Sequence, residues 1–173
     1  PMRSPETLDL GEVAREAAAL FAGPLAESGR AELSLDLTAA GLPVSADHEE
    51  LRRVLVNLLT NALQAIPARP APGHITLATV HTGAAVEARV IDDGTGIPPD
   101  VQERVFQPSF STKTSGMGLG LAISKRAVEA AGGSITFETA QGAGTTFVVR
   151  LPLAAVGGDG VAAGSVPPSA NDE

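Results

Sequence analysis

The stretch Leu51-Arg-Arg-Val-Leu-Val-Asn-Leu-Leu-Thr-Asn-Ala62 decides how this chain is read. At about 100° per residue, Leu51, Val54, Leu55, Leu58, Ala62 and Ile66 fall on one helical face. Asn57, Asn61 and Gln64 form a polar stripe along the edge of that face, about a turn apart. A polar stripe bordering an apolar face is where a helix lines a pocket. Amide oxygens are hard, uncharged donors of the kind that suits Mg²⁺, which keeps several waters while it bridges phosphates. Taken alone, an Asn pair at this spacing reads more readily as surface or capping amides. Asp47 is placed to cap the helix, which runs to Ile66 and is stopped by Pro67.

Working outward from that helix, the chain alternates helical and strand periods. Upstream, Asp9 is a candidate N-cap for a helix from about Leu10 to Ala26, with Val13, Ala17, Leu20 and Phe21 as its apolar stripe. Residues 1–7 read as a frayed edge, or as the end of an upstream helical domain. Ala31–Leu37 alternates apolar and polar residues, and Pro43–Ala46 is a second short strand candidate. Downstream, Pro67–Gly73 is a turn-rich loop. Ile75–Val80 and Val86–Ile91 are predicted to form a hairpin through His81-Thr-Gly83. Pro98 and Pro99 open a short helix to about Phe106, and a glycine-bearing loop follows from Gln107 to Gly118. A helix from about Leu119 ends at Gly132-Gly133, before a last hairpin of Ser134–Thr139 and Thr145–Leu151. Helices flanking antiparallel hairpins predict an α+β two-layer sandwich rather than a doubly wound parallel sheet.

Two further stretches carry chemistry. Asp92-Asp-Gly-Thr-Gly96 follows a strand and offers a carboxylate in a glycine turn. Such a carboxylate accepts a hydrogen bond from an exocyclic amine, although Asp-Gly by itself is also a common hairpin turn. Gly116-Met-Gly-Leu-Gly-Leu121 opens a helix and so offers backbone N–H groups to an anion. A lone GxGxG is equally a flexible hinge.

Composition narrows the function. The 173 residues allow one cored domain with tails, and 43% hydrophobic content with 3% aromatic means a core of Leu, Val, Ile and Ala. A net charge of −8 with scattered Lys and Arg argues against a nucleic-acid surface. The absence of cysteine excludes disulfides, thiol nucleophiles and cysteine-based zinc sites. No apolar run is long enough to span a bilayer, so no direct membrane insertion of this segment is expected. Residues 154–173 are rich in Ala, Gly, Pro and Ser and read as a disordered tail or linker.

Taken in order, the three stretches resemble the N, G1 and G2 boxes of the Bergerat-type ATP-binding domain of sensor histidine kinases. Phe106-Gln-Pro-Ser-Phe110-Ser-Thr-Lys-Thr114 resembles the F box and a compact lid of the nitrogen-regulation and oxygen-sensing type. The resemblance covers residues 8–153 and implies a mixed, mainly antiparallel sheet packed on three helices. It implies ATP and Mg²⁺ as cofactors, with Asn61 as the metal ligand and Asn57 and Lys113 acting in catalysis. The implied nucleotide-binding set is Asn57, Asn61, Gln64, Asp92, Gly94, Gly96, Ile97, Lys113, Gly116, Gly118, Leu119, Gly120, Leu121 and Thr145. In that set Asp92 reads the adenine amine, and Thr145 supports it. There are departures: the family often has a basic residue where Gln64 stands, asparagine at Asp93, and a second phenylalanine at Ser109.

The expected activity is transfer of the ATP γ-phosphoryl group to a histidine on the protein's own upstream dimerisation and phosphoacceptor domain. A response-regulator receiver domain is the expected downstream partner, and the expected location is cytoplasmic within a parent that is free to be membrane-anchored. The alternative is a serine kinase of the anti-sigma type on the same fold, or a slow ATPase. Hydrolytic relatives place a glutamate general base one turn before the magnesium asparagine, and here that position is the amide Asn57.

Overall fold

The computed structural model describes residues 4–38, 41–108 and 120–155. The long helix is the centre of the architecture: α2 spans His48–Ala65 and buries Leu51, Val54, Leu55, Leu58, Leu59, Ala62 and Leu63. Asp47 caps it by accepting the Glu50 N–H at 3.1 Å, with Glu49 and Glu50 favourably placed in the positive first turn. Before it lie β1 (Glu6–Asp9), α1 (Leu10–Ser28), β2 (Ala31–Asp36) and β3 (Pro43–Ala46). After it come β4 (Gly73–Thr82), β5 (Ala85–Asp92), α3 (Gly120–Ala130), β6 (Ser134–Ala140) and β7 (Gly144–Pro152).

Five strands form one sheet in the order β2-β4-β5-β7-β6, while β1 and β3 pair separately. Only β2 and β4 run parallel; the other neighbours in the large sheet are antiparallel. The three helices bury their apolar stripes against one sheet face, in a core that includes Phe21, Leu55, Leu58, Ile75, Leu77, Val90, Val149 and Leu151. The α+β two-layer architecture expected from the alternating periods is therefore present.

Because side chains alternate along a strand, register pairs define rows across that face. One row runs Leu35, Leu77, Val90, Phe147 and Phe137, and is apolar throughout. The next, at one end of the sheet, runs Leu33, Ile75, Asp92, Thr145 and Thr139. It begins in the core and becomes polar halfway across, where the candidate site lies.

Several local expectations need correction. Glu6 and Thr7 are not frayed but paired with Ala46 and Ser45 in the small sheet. Four residues carry too little periodicity for that strand to be read without its partner. Leu20 lies at the margin of the α1 stripe and is 57% exposed. Leu35 is 49% exposed because β2 is an edge strand. The expected helix after Pro99 is only a 3-10 segment, Gln102–Arg104, within a run of i to i+3 bonds from Pro98 to Gln107. Among the described residues, no helix is long and apolar enough to cross a membrane.

Candidate functional site

The end of β5 and the residue after it place two adjacent aspartates in opposite surroundings. Asp92, 6% exposed, faces the helices, and its Oδ1 accepts the Gly94 N–H at 2.8 Å. Asp93 faces the other way: its Oδ1 accepts the His74 N–H at 2.9 Å, and its Oδ2 lies 2.8 Å from the Arg69 guanidinium. Partial burial opposes ionisation of Asp93. The His74 N–H, together with the hydrogen bond and charge of Arg69, outweighs that effect and holds the carboxyl below the usual aspartate range.

The turn after Asp92 is clamped on two sides. Thr95 donates its N–H to the Ala65 carbonyl at the end of α2, at 3.0 Å, and its own carbonyl accepts the Gly142 N–H at 2.7 Å. Both glycines in this turn are required by close approach. A Cβ on Gly94 would stand 2.6 Å from the Ala65 carbonyl oxygen. Gly96 has φ +73° and backs directly onto the Ala140 carbonyl. Ile97 donates its N–H to the Thr139 hydroxyl at 2.9 Å, fixing the exit of the turn on β6.

Thr145, buried on β7, stands between Asp92 on β5 and Thr139 on β6. Its hydroxyl is 2.9 Å from that of Thr139, which is also 3.0 Å from the Gly144 carbonyl oxygen. This corner therefore joins a carboxylate, two hydroxyls and the turn in a single row.

The polar stripe of α2 forms the second half of the site. Asn57 is half-buried and donates through Nδ2 to the Ser124 hydroxyl of α3 at 3.0 Å. A Cβ on Gly120, the first residue of α3, would lie 2.6 Å from Asn57 Oδ1. The amide thus bridges α2 to the start of α3. Asn61 is half-buried one turn further on, and Gln64 is exposed. A groove of about 120 Å³ between α2 and α3 is lined in part by Glu50, Arg53, Asn57, Ile123 and Ser124.

Two halves, an acceptor-rich corner at the end of β5 and an amide-lined helix pair beside it, meet at Ala65. Residues 46–155 match the family described as "Histidine kinase-, DNA gyrase B-, and HSP90-like ATPase". The chain belongs to this ATPase family. It is 44% identical over 112 residues to the signal transduction histidine-protein kinase AtoS of Escherichia coli, a match covering 64% of this chain and 18% of that protein. Among solved structures, the nucleotide-free catalytic domain of histidine kinase ThkA superposes with a TM-score of 0.75 at 30% identity, covering 87% of this chain and 97% of that one. ThkA in complex with the response regulator protein TrrA gives 0.70 at 28% identity, covering 87% and 42%. The chain thus spans less than a fifth of the length of AtoS but nearly all of the ThkA catalytic domain. It is a histidine-kinase-type ATPase catalytic domain, and binding ATP is the function that goes with it.

The ATPase domain brings Asp92, Gly94, Gly96, Ile97 and Thr145 together around one turn, and sets Asn57 against Gly120. Leu121 packs on the core at the start of α3. Lys113, Gly116, Gly118 and Leu119, with Phe110 of the expected lid stem, lie outside the described residues. Phe106 does anchor its segment: its ring lies 5.8 Å from Phe137 and 6.3 Å from Phe147, with Lys125 Nζ 5.4 Å from its centroid. Thr139, Ser124 and the Ala65 carbonyl escaped the sequence reading. Cross-strand alternation from Thr145 points to Thr139. Nothing in the sequence marks Ser124 or Ala65, whose parts depend on how helices and turn meet.

Proposed function

We propose that this domain transfers the γ-phosphoryl group of ATP to a histidine carried by a separate dimerising helical hairpin of its parent protein. The phosphoryl group then passes to a response-regulator receiver domain, in a two-component pathway on the cytoplasmic side. The observation that carries this reading is Asn57. It occupies the place where a hydrolytic relative needs a general base, yet it is an amide committed to Ser124. Glu50, two turns earlier on the helix, is held by Arg53 at 2.7 Å. The site is therefore equipped to position a nucleotide and ill equipped to activate water.

In this reading Asp92 takes the adenine amine, with Thr145 beside it, while Gly94, Gly96 and Ile97 shape the wall of the base pocket. Asn57, Gln64, Lys113 and the N–H groups of Gly116–Leu121 face the phosphates. Asn61 is the one protein ligand assigned to Mg²⁺. A neutral amide oxygen suits that ion, and the described residues hold no group of three or more His, Asp or Glu side chains arranged for a metal. Asn61 would hold the ion through its amide oxygen. When bound, the ion supplies neutralisation of charge on the transferring phosphate. The residues themselves do little covalent chemistry: they orient the triphosphate for in-line attack and exclude competing poses.

The test is phosphotransfer in trans. The domain is incubated with γ-labelled Mg-ATP and a separately expressed histidine-bearing hairpin from its parent. Acid-labile label on the hairpin is the expected result. Steady release of inorganic phosphate, with no label on the hairpin, would assign the domain to the hydrolases instead.

A further inference from the structure

Thr139 has no role in the reading above, yet its hydroxyl makes three directed polar contacts at the base corner. Its hydroxyl meets the Ile97 N–H at 2.9 Å, the Gly144 carbonyl at 3.0 Å and the Thr145 hydroxyl at 2.9 Å. A hydroxyl has one proton and two lone pairs, so three partners fill it completely. The Ile97 N–H can only donate, and the Gly144 carbonyl can only accept. All groups are satisfied in one arrangement: Thr139 donates to Gly144 and accepts from both Ile97 and Thr145. Reversing the Thr139–Thr145 bond would leave the Gly144 carbonyl without this proton, at a buried residue where a lost partner is costly.

That arrangement fixes the Thr145 proton toward β6. Thr145 stands between β6 and β5, so its lone pairs are turned toward the Asp92 side. The corner beside Asp92 then presents only acceptors, and a free hydroxyl rotor is removed from it. We infer that Thr139 is a positioning residue for base selectivity, which locks the Thr145 hydroxyl as an acceptor so that the pocket takes an amino-bearing purine and rejects a 6-oxo purine. The same hydroxyl holds Ile97, so the turn and the proton orientation are set by one side chain. This inference rests on Asp92 as the reader of the adenine amine.

The experiment measures binding of ADP and of inosine diphosphate, without metal, to the wild type, Asp92→Asn, Thr139→Val, Thr139→Ala and Thr139→Ser, with melting recorded for each. Wild type should prefer ADP by about tenfold or more, since a site built around polar groups discriminates strongly when a partner is mismatched. In Thr139→Val the Thr145 hydroxyl is released to donate to the 6-oxo group. ADP should weaken by about fivefold while inosine diphosphate holds or improves, so that the preference collapses. Thr139→Ser should restore it. A merely structural role would weaken both nucleotides by the same factor, and that result, an unchanged preference in Thr139→Val, or failure of Thr139→Ser to rescue would overturn the inference. Should the valine variant not fold, Thr139→Ala is judged by the same criteria. A wild type with no preference, or Asp92→Asn binding ADP normally, would remove the Asp92 reading and this inference with it. Either is visible without any change at Thr139.

Discussion

The carbonyl of Ala65 accepts the N–H of Thr95 at 3.0 Å, tying the last turn of α2 to the turn that follows Asp92. Asn61 lies one helical turn before Ala65 on the same helix. The residue proposed to read the base and the amide proposed for the metal are thus linked through one backbone contact. A nucleotide that engages both ends should stabilise the whole domain.

The first expectation is therefore thermal. A ligand that binds only the folded state adds about 2.7 kcal/mol at a hundredfold excess over Kd. Melting should rise with Mg-ATP, and much less with GTP, whose 6-oxo acceptor would confront the Asp92 carboxylate. Differential scanning fluorimetry with both nucleotides decides this, and equal shifts would place the base elsewhere.

Asp92→Asn and Asn61→Asp should separate the two ends of that link. The first should weaken adenosine, ADP and ATP alike, with or without metal, by about tenfold or more. The second should disturb Mg-ATP while leaving adenosine binding within about twofold, because only the metal and triphosphate end is altered. Titration calorimetry with the three ligands reads the difference. Normal ATP binding by Asp92→Asn would be incompatible with the proposed pocket.

Asp93 and Arg69 should show in the pH dependence of stability rather than in binding. The folded-state pKa of Asp93 is depressed, so its stabilisation is present above the unfolded value of about 3.9 and is lost as pH falls through the folded value. Asp93→Asn keeps an acceptor for the His74 N–H but loses the charge. It should be less stable than wild type at neutral pH, by a modest amount since both side chains are over a third exposed, and the gap should close below about pH 4. Urea denaturation at neutral and acid pH measures this. A gap that widens on acidification would contradict the pairing.

The isolated chain should bind ATP without labelling itself. Only three histidines are present. His74 lies in β4 next to Gly73, and His81 lies near the other end of the same strand. His48-Glu49 superficially matches a phosphoacceptor, but His48 is the first residue of α2, with Nε2 2.8 Å from Glu16 of α1. A nucleophile fixed in the helix that carries Asn61 cannot swing to a phosphate held by that helix. Incubation with γ-labelled ATP should leave the chain unlabelled, and acid-labile phosphate on His48 would refute the assignment of the acceptor to another domain.

Much of this is legible in the sequence. The α2 stripe is buried as its period predicts, and Asp47 caps it. The two large hairpins pair as the turn residues suggest, because local chemistry specifies both their turns and their alternation. What escaped depends on distant partners. β1 is a strand because β3 lies beside it, and β2 is half-exposed because, among the described residues, no strand pairs on its far side. At the site, the motifs point to Asp92, Gly94, Gly96, Ile97 and Thr145, which the fold gathers around one turn. The groups that aim them, Thr139, Ser124 and the Ala65 carbonyl, reach across 42, 67 and about 30 residues of chain, distances over which no local pattern operates.

If Asp92 reads the base as proposed, the row it shares with Thr145 and Thr139 makes the tight connection between β6 and β7 a determinant of ligand choice. Side chains alternate between faces, so adding or removing one residue at Gln141-Gly-Ala143 and shifting β6 by a single position would withdraw Thr139 from the pocket and bring a neighbour, Glu138 or Ala140, opposite Thr145. In most surface hairpins a length change is an accommodation problem for the turn alone. Here, on the proposed reading, the loop's length is a spacer that sets which side chain of β6 meets the Thr145 hydroxyl, so a one-residue insertion between β6 and β7 is expected to change nucleobase preference as well as the turn.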